Sequence, residues 1–529
     1  MKSKASLWFI VMIFLLGVAN PVPTAAQEQT KLHHHYKLID VSTFGGPSSY
    51  LNAFVDGFAP RANGPFFGGA RVLTGKGLLT GWADTSQSDP FPTFCFNPDC
   101  FVSHAFERHD GVVSDLGTLA DGWSSATTWI NESGDIVGLS ENGLVDPRIG
   151  LPEVRAVRWS HGRIVDLGTL GGNQSAALAV NNHGQIAGLA LNTIPDPFSI
   201  YDLLNYGSSN GTQTRAVLWD KDGRIEDLGT LGGPDAYALL VNDHGQVTGW
   251  SYTNSSPNAI SGLPTFHPFL WDKRNGMQDL GSLGGTVAQA VNGLNERGEV
   301  VGATTLAGDM THHPFLWDGK TLVDLGTLGG DSGEADWIND AGEVVGIAQY
   351  TVPCPNGLGG AHAFLWSNGA MTDLGSEDGV ANSEAVFINS RTQIVGYSFS
   401  CDLSVVDALM WEGGSVVNLN SLISQTSAFH LFFTAFINDQ GEIGAFGSLP
   451  DGDIHAFVLI PCDDDHPIVD GCDYSLVEAS ATVNVATRMP RANMPATASP
   501  GVSREAIRQL LQCVGSAPWR RRFGAQPQR

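Results

Sequence analysis

Self-similarity constrains this chain more than any other feature, because one unit recurs at intervals of about 45 to 60 residues along most of its 529 residues. Its clearest copy reads EADWINDAGEVVG from Glu334 to Gly346, then a variable stretch, then HAFLWSNGAMTDLG from His362 to Gly375. The closing Asp-Leu-Gly stands at Asp115, Asp166, Asp227, Asp279, Asp324 and Asp373, with Asn418-Leu419-Asn420 as a degenerate copy. The block before it begins at His104, Arg155, Arg215, His267, His313, His362 and His455, and a weak copy ends at Trp411.

Each unit holds four short apolar runs separated by Gly, Asn and Asp, the pattern of short antiparallel strands joined by turns. We call them strands A to D. Strand A is rich in small residues (Ala176 to Val180), as crowding around a central axis requires, and strand C carries the large aromatics. Four strands per unit at this period specify an all-β fold, a β-propeller of about eight four-stranded blades. The last unit, from Ala435 to Ile460, lacks strand D before Pro461. Leu38 to Gly46 copies Ile164 to Gly172, so an N-terminal strand is expected to close the last blade and remove an exposed edge.

These motifs resemble the HAF family of extracellular repeat proteins, named for the His-Ala-Phe found here at His104, His362 and His455. The resemblance spans roughly residues 36 to 460 and rests on the combination of HAFLW, DLGTLGG and INxxGEVVG. It implies an extracellular or periplasmic bacterial protein with no established common activity. Arg155, Arg215 and Asp407 stand where the family has His, which argues against a shared ligand role for that residue.

The flanks agree with export. Lys2 and Lys4 precede an apolar run from Leu7 to Val18, followed by Thr24, Ala25 and Ala26, so residues 1–26 read as a signal peptide cut before Gln27. That run is shorter than the roughly 20 residues of a spanning helix, and nothing downstream is long and apolar enough to cross a bilayer, so no stable membrane span is expected after cleavage. Residues 27–35, with His33-His34-His35, read as a surface linker, 36–462 as the propeller, 463–502 as a second linker and 503–529 as a tail. In the tail, Ile507, Leu510, Leu511 and Val514 share one helical face behind Ser503. Seven Cys in an exported chain read first as disulfides. The expected pairs are Cys95 with Cys100, Cys354 with Cys401, and Cys462 with Cys472, leaving Cys513 over. No zinc spacing accompanies them.

A formal net charge of −26 excludes a phosphate-binding surface and hence nucleic acid as a partner. Each recurrent motif has a structural reading. The Asn-x-x-Gly turns (Asn131, Asn181, Asn242, Asn295, Asn339, Asn438) are self-capped hairpin ends with too few oxygens for a calcium loop. The Asp of Asp-Leu-Gly fixes the end of strand D, and Trp159, Trp219, Trp271, Trp317, Trp366 and Trp411 pack between blades. No cofactor motif, G-x-S-x-G elbow or H-E-x-x-H is present, so no enzyme assignment is compelled.

Insertions fall between strands B and C (about 83–102, 140–154, 189–213, 251–265, 348–360) and once between D and A (about 47–68), all on one face. Variable loops on a regular scaffold are where function resides. The leading expectation is therefore a secreted binding scaffold whose B–C loops contact an extracellular glycan or protein. The alternative is a polysaccharide hydrolase or lyase using carboxylates of that face, among them Asp84, Asp89, Asp99, Glu141, Asp146, Glu153 and Asp196.

Overall fold

The computed structural model describes residues 32–51, 70–91, 95–96, 99–160, 162–202, 210–259, 262–354, 359–402, 404–423 and 429–478. The signal peptide, the tail from 479 onward and Cys513 lie outside the described residues. Within them the strands form successive antiparallel sets of four, numbered here as sheets 1 to 8 in chain order. Sheet 1 is Gly45–Tyr50, Leu79–Ser88, Phe101–His109 and Val112–Asp115. Sheet 2 opens with Ser125–Ile130, sheet 3 with Ser175–Val180, sheet 4 with Ala236–Val241 and sheet 5 with Gly284–Leu294. Gly329–Ile338, Asn382–Ile388 and His430–Ile437 open sheets 6, 7 and 8. A single parallel pair, Phe266 with Val287, joins sheets 4 and 5. The fold is all-β and propeller-like, as the four-run repeat dictates.

In sheet 8, strands His430–Ile437, Ile443–Ser448 and Ile454–Pro461 are completed by Tyr36–Asp40, which pairs antiparallel with the last of them (Leu38 with Leu459, Ile39 with Val458). The N-terminal segment therefore supplies the strand that the final repeat lacks.

The motif letters correspond to separate physical tasks. The Phe of His-Ala-Phe is wholly buried at Phe106, Phe364 and Phe457, each contributing about 1.5–3 kcal/mol over exposure. The Ala is also fully buried, and its N–H donates to a Ser of the next sheet: Ala105 to Ser125 Oγ (2.9 Å), Ala363 to Ser383 Oγ (3.0 Å) and Ala456 to Ser49 Oγ (3.0 Å). The His faces the Asp of Asp-Leu-Gly on the adjoining strand, as in His104 with Asp115 (2.8 Å) and His362 with Asp373 (3.0 Å), and His455 faces Asp40 (2.8 Å) at the corresponding place of the N-terminal strand. Arg155 and Arg215 keep that pairing with Asp166 and Asp227. These pairs are partly exposed and contribute about 0–1 kcal/mol each, so Phe anchors the repeat while the His–Asp pair sets strand register. The same Asp accepts the N–H of the Gly two residues on (Asp115 from Gly117, 2.7 Å), and that Gly has φ 67°, a left-handed conformation.

The Trp series packs between sheets, and several indoles reach the preceding one. Trp159 Nε1 donates to the Leu116 carbonyl (3.0 Å), Trp219 to Leu167 (2.7 Å) and Trp411 to Leu374 (3.1 Å). The three expected cysteine pairs, Cys95–Cys100, Cys354–Cys401 and Cys462–Cys472, all lie at disulfide distance. Among the described residues no helix is long and apolar enough to cross a membrane.

Three expectations need correction. The first insertion does not lie between strands D and A. Chain from Gly45 to Tyr50 already pairs as strand A with Leu79–Ser88, and Leu73 bridges Leu79 after the interruption, so residues 52–69 interrupt strand A itself. The His tract is not a surface linker: Leu32–His34 pairs with Leu476–Glu478, and His33 is 3% exposed with Nδ1 3.3 Å from Glu412. Residues 463–478 likewise form a closed turn and strand, because the Cys462–Cys472 bridge folds the chain back onto the N-terminus.

Replacing Ile39 with Pro removes a donor from the completing strand and should cost about 1–3 kcal/mol for the acceptor left unpaired. It should also expose the edge of Ile454–Pro461 to self-association. Calorimetry and size-exclusion chromatography check both outcomes.

Candidate functional site

The site begins with a backbone irregularity. Strand A of sheets 2 to 8 carries a register shift just before its end, as between Thr127 and Trp129, Ala335 and Trp337, and Ala385 and Phe387. Such a bulge bends the strand and re-aims the side chains that follow. It also turns a carbonyl toward strand B, where only Gly fits: a Cβ at Gly138 or Gly346 would collide with the carbonyl oxygen of Ala126 or Glu334. The Gly of GEVVG is thereby explained.

Beyond the bulge each strand ends in the Asn turn. Asn181 Oδ1 accepts the N–H of His183 (3.1 Å) and Gln185 (2.9 Å), which caps the turn as the sequence suggests. Its Nδ2 does more, donating to Gln185 Oε1 (2.9 Å) and to the carbonyl of Asn242 in the next sheet (2.9 Å). The same inter-sheet bond runs from Asn131 to Asn181, Asn242 to Asn295, Asn295 to Asn339, Asn339 to Asn389 and Asn389 to Asn438. From sheet 8, Asn438 Nδ2 donates to the Thr74 carbonyl of sheet 1 (3.0 Å).

The residue after each of six Asn (all but Asn389) adds a second tier. Its side-chain oxygen accepts the N–H of its counterpart one sheet back: Asn182 from Glu132 (2.9 Å), Asp243 from Asn182 (2.8 Å), Asp340 from Glu296 (2.9 Å) and Asp439 from Ser390 (2.9 Å). Glu296 accepts from Asp243 (3.0 Å), and Glu132 from Gly75 of sheet 1 (3.1 Å). Arg71 of sheet 1 is ion-paired with Glu132.

These turns surround a cavity of about 470 Å³ to which all eight sheets contribute, a size suited to a small ligand. Its floor is aromatic. Trp129 of sheet 2 meets Trp337 of sheet 6 with centroids 6.2 Å apart, Trp337 stacks on Phe387 (4.3 Å), and Phe387 abuts Phe436 (4.2 Å). Both indoles are half-buried. Its rim carries Asp243, Glu296, Asp340 and Asp439. Burial, then the charges of Asp243 and Asp340, hold Glu296 above its ordinary range.

The opposite, B–C face uses its carboxylates differently. Asp84 accepts from Ser48 N (3.1 Å) and Ser103 Oγ (2.8 Å), and Asp89 from Phe91 N (2.7 Å) and Phe96 N (3.0 Å). Asp146 caps Arg148 N (2.8 Å), Asp196 caps Phe198 N (2.8 Å) and Asp99 holds Phe101 N (3.3 Å). Glu153 accepts from Asn142 (3.0 Å). Each of these seven residues, Glu141 included, is tied into the loops that carry it. Among the described residues no three His, Cys, Asp or Glu are arranged to hold a metal ion.

Sequence reading missed the cavity because the Asn turns have a sufficient local explanation. The available signal was a polar residue just after each Asn and, at five of the seven, a large apolar residue two before it (Trp129, Leu240, Trp337, Phe387, Phe436).

No protein-family model and no curated protein sequence matches the chain. Among solved structures it is similar to the β-propeller domain of the Trilobed protease from Pyrococcus furiosus, of open velcro topology, at TM-score 0.37 and 8% identity over 67% of this chain and 96% of that one. An oligogalacturonate lyase in complex with manganese gives 0.36 and 9% over 82% and 98%. The polysaccharide lyase Uly1 gives 0.36 and 8% over 81% and 100%. Likenesses this distant transfer neither activity nor ligand.

One titration follows from the B–C face. Burial, aided by the charge of Asp89, pushes Glu141 from 4.5 up to about 7 against the hydrogen bond from Ser124. A carboxyl raised on folding favours the folded state while protonated, so its contribution is lost as pH rises from 4.5 to 7 and is constant above. Glu141→Gln should therefore match the parent near pH 4 and gain about 1–3 kcal/mol at pH 8, as read from urea unfolding at both values.

Proposed function

We propose that the chain is an exported, non-catalytic binding protein of the HAF repeat kind, a closed eight-bladed propeller whose ligand enters the cavity at the Asn-turn mouth. The cavity carries this reading, since it combines an aromatic floor with a polar rim in a place to which all eight sheets contribute. Closure is supported by the junction of sheets 8 and 1. It has the two ties that also join sheets 2 and 3 and sheets 6 and 7, an Asn side chain to a carbonyl and an Ala N–H to a Ser hydroxyl. Export is supported by the N-terminal pattern and by three cysteine pairs, which persist in oxidising compartments.

The hydrolase or lyase reading needs carboxylates free to meet a substrate, and those named for it are engaged in their own loops. The B–C face retains a second reading, as a surface for a protein or glycan, because apolar residues are exposed there at Leu144 (60%), Ile194 (53%) and Val352 (61%).

The test is intrinsic tryptophan fluorescence of residues 27–478 against a panel of amines, carboxylates, oligosaccharides and neutral alcohols, with mass spectrometry of each ligand afterward. The expected result is a saturable change with intact ligand, weakened about tenfold or more by Trp337→Leu in a variant that still unfolds cooperatively. Cleavage products would replace this reading with the enzymatic one. Binding unaffected by Trp337→Leu would move the site to the B–C face.

A further inference from the structure

The rim of the cavity bears charge that its structural task does not require. In the second tier of hydrogen bonds the acceptor needs only an oxygen, and Asn182 shows it: its neutral amide receives Glu132 N at 2.9 Å, as Asp340 receives Glu296 N at 2.9 Å. Yet sheets 4, 5, 6 and 8 place carboxylates there, at Asp243, Glu296, Asp340 and Asp439. Like charges at neighbouring positions repel; at Glu296 burial, then the charges of Asp243 and Asp340, raise the carboxyl against the hydrogen bond from Asp243 N.

Among the described residues a single side chain, His244, lies at ion-pair distance from any of the four. Arg71 is taken by Glu132, and Arg297 by Glu299 at 2.5 Å. Glu296 has the exposed His244 at 3.2 Å. Among the described residues Asp243, Asp340 and Asp439 have no ion-pair partner. Below this acidic rim lie the half-buried Trp129 and Trp337, whose ring faces attract cations when water is excluded. An acidic mouth over an aromatic floor, in a volume of about 470 Å³, complements a ligand with a positive head and an apolar body.

We propose that the cavity takes a small organic cation of the alkylammonium class, its charge met by Asp243, Glu296, Asp340 and Asp439 and its carbon body by Trp129 and Trp337. This rests on the cavity being the ligand site. The ligand class is set by the excess of rim charge over what the turns need, and the cavity volume limits it to a small molecule.

Isothermal titration calorimetry on residues 27–478 tests it with choline and agmatine, against 3,3-dimethylbutan-1-ol, the uncharged carbon counterpart of choline. The double variant Asp340→Asn with Asp439→Asn keeps the one oxygen through which each residue accepts, so the turns stay bonded while two charges go. The expected result is that choline or agmatine binds, the alcohol binds at least about tenfold more weakly, and the double variant loses about tenfold while unfolding at an unchanged temperature. Equal affinity for the alcohol, or unaltered cation binding by the double variant, would overturn the proposal. A neutral or anionic ligand whose binding needs Trp337 would overturn the cation class and leave the cavity standing. A folded protein that binds no member of the panel would overturn both.

Discussion

In sheets 2 to 8 an asparagine amide leaves its own turn and donates to the backbone of the next sheet. Asn131, Asn181, Asn242, Asn295, Asn339, Asn389 and Asn438 form seven such bonds, each buried. Asn suits the position because all its bonding capacity is used, with the oxygen closing the turn and the nitrogen joining turn to neighbour. Asp could close the turn but not donate, and Ser or Thr would have only one donor. Thr74 of sheet 1 illustrates the difference. It caps its turn through Oγ1 onto Lys76 N and Leu78 N, while the onward link to sheet 2 passes to Gly75, Arg71 and Glu132.

Much else depends on these bonds. They hold the residue after each Asn at a common level, which creates the acidic rim, and they fix the ends of the strands whose bulges bring Trp129 to Trp337. Away from the axis, the Ala N–H to Ser bonds and the Trp to Leu carbonyl bonds join the same neighbours. Substitution in the motif follows this division of labour. His gives way to Arg at Arg155 and Arg215, since either side chain can present an N–H to the Asp. In sheet 7, Asp407 replaces the His and Asn418 the Asp. Asp407 is then raised by burial beside Glu377, and receives His430 at 3.5 Å and Asn420 at 3.3 Å.

Patterns confined to one repeat were legible in the sequence. The four runs gave the sheets, Leu38 to Gly46 revealed the completing strand by its likeness to Ile164 to Gly172, and spacing and loop position paired six cysteines. Features set by distant contacts were not. His33 is buried by Glu412, 379 residues away in sequence, so a polar tract that reads as linker becomes a strand. The interruption at 52–69 was placed wrongly because Gly45 to Tyr50 has lost the rest of strand A, which resumes only at Val72 and Leu73. The cavity arises from strands hundreds of residues apart, and no single turn carries its signature.

The most direct test of this account is calorimetry of Asn242→Asp, a substitution that preserves shape and the capping oxygen and removes the donor to Asn295. At pH 8 it should lower stability by about 2–4 kcal/mol, since a buried carboxylate then faces a carbonyl oxygen. Relative to the parent at the same pH, the deficit should shrink near pH 4, where the protonated acid can donate again. A variant as stable as the parent at pH 8 would contradict the central role given to the asparagine bonds.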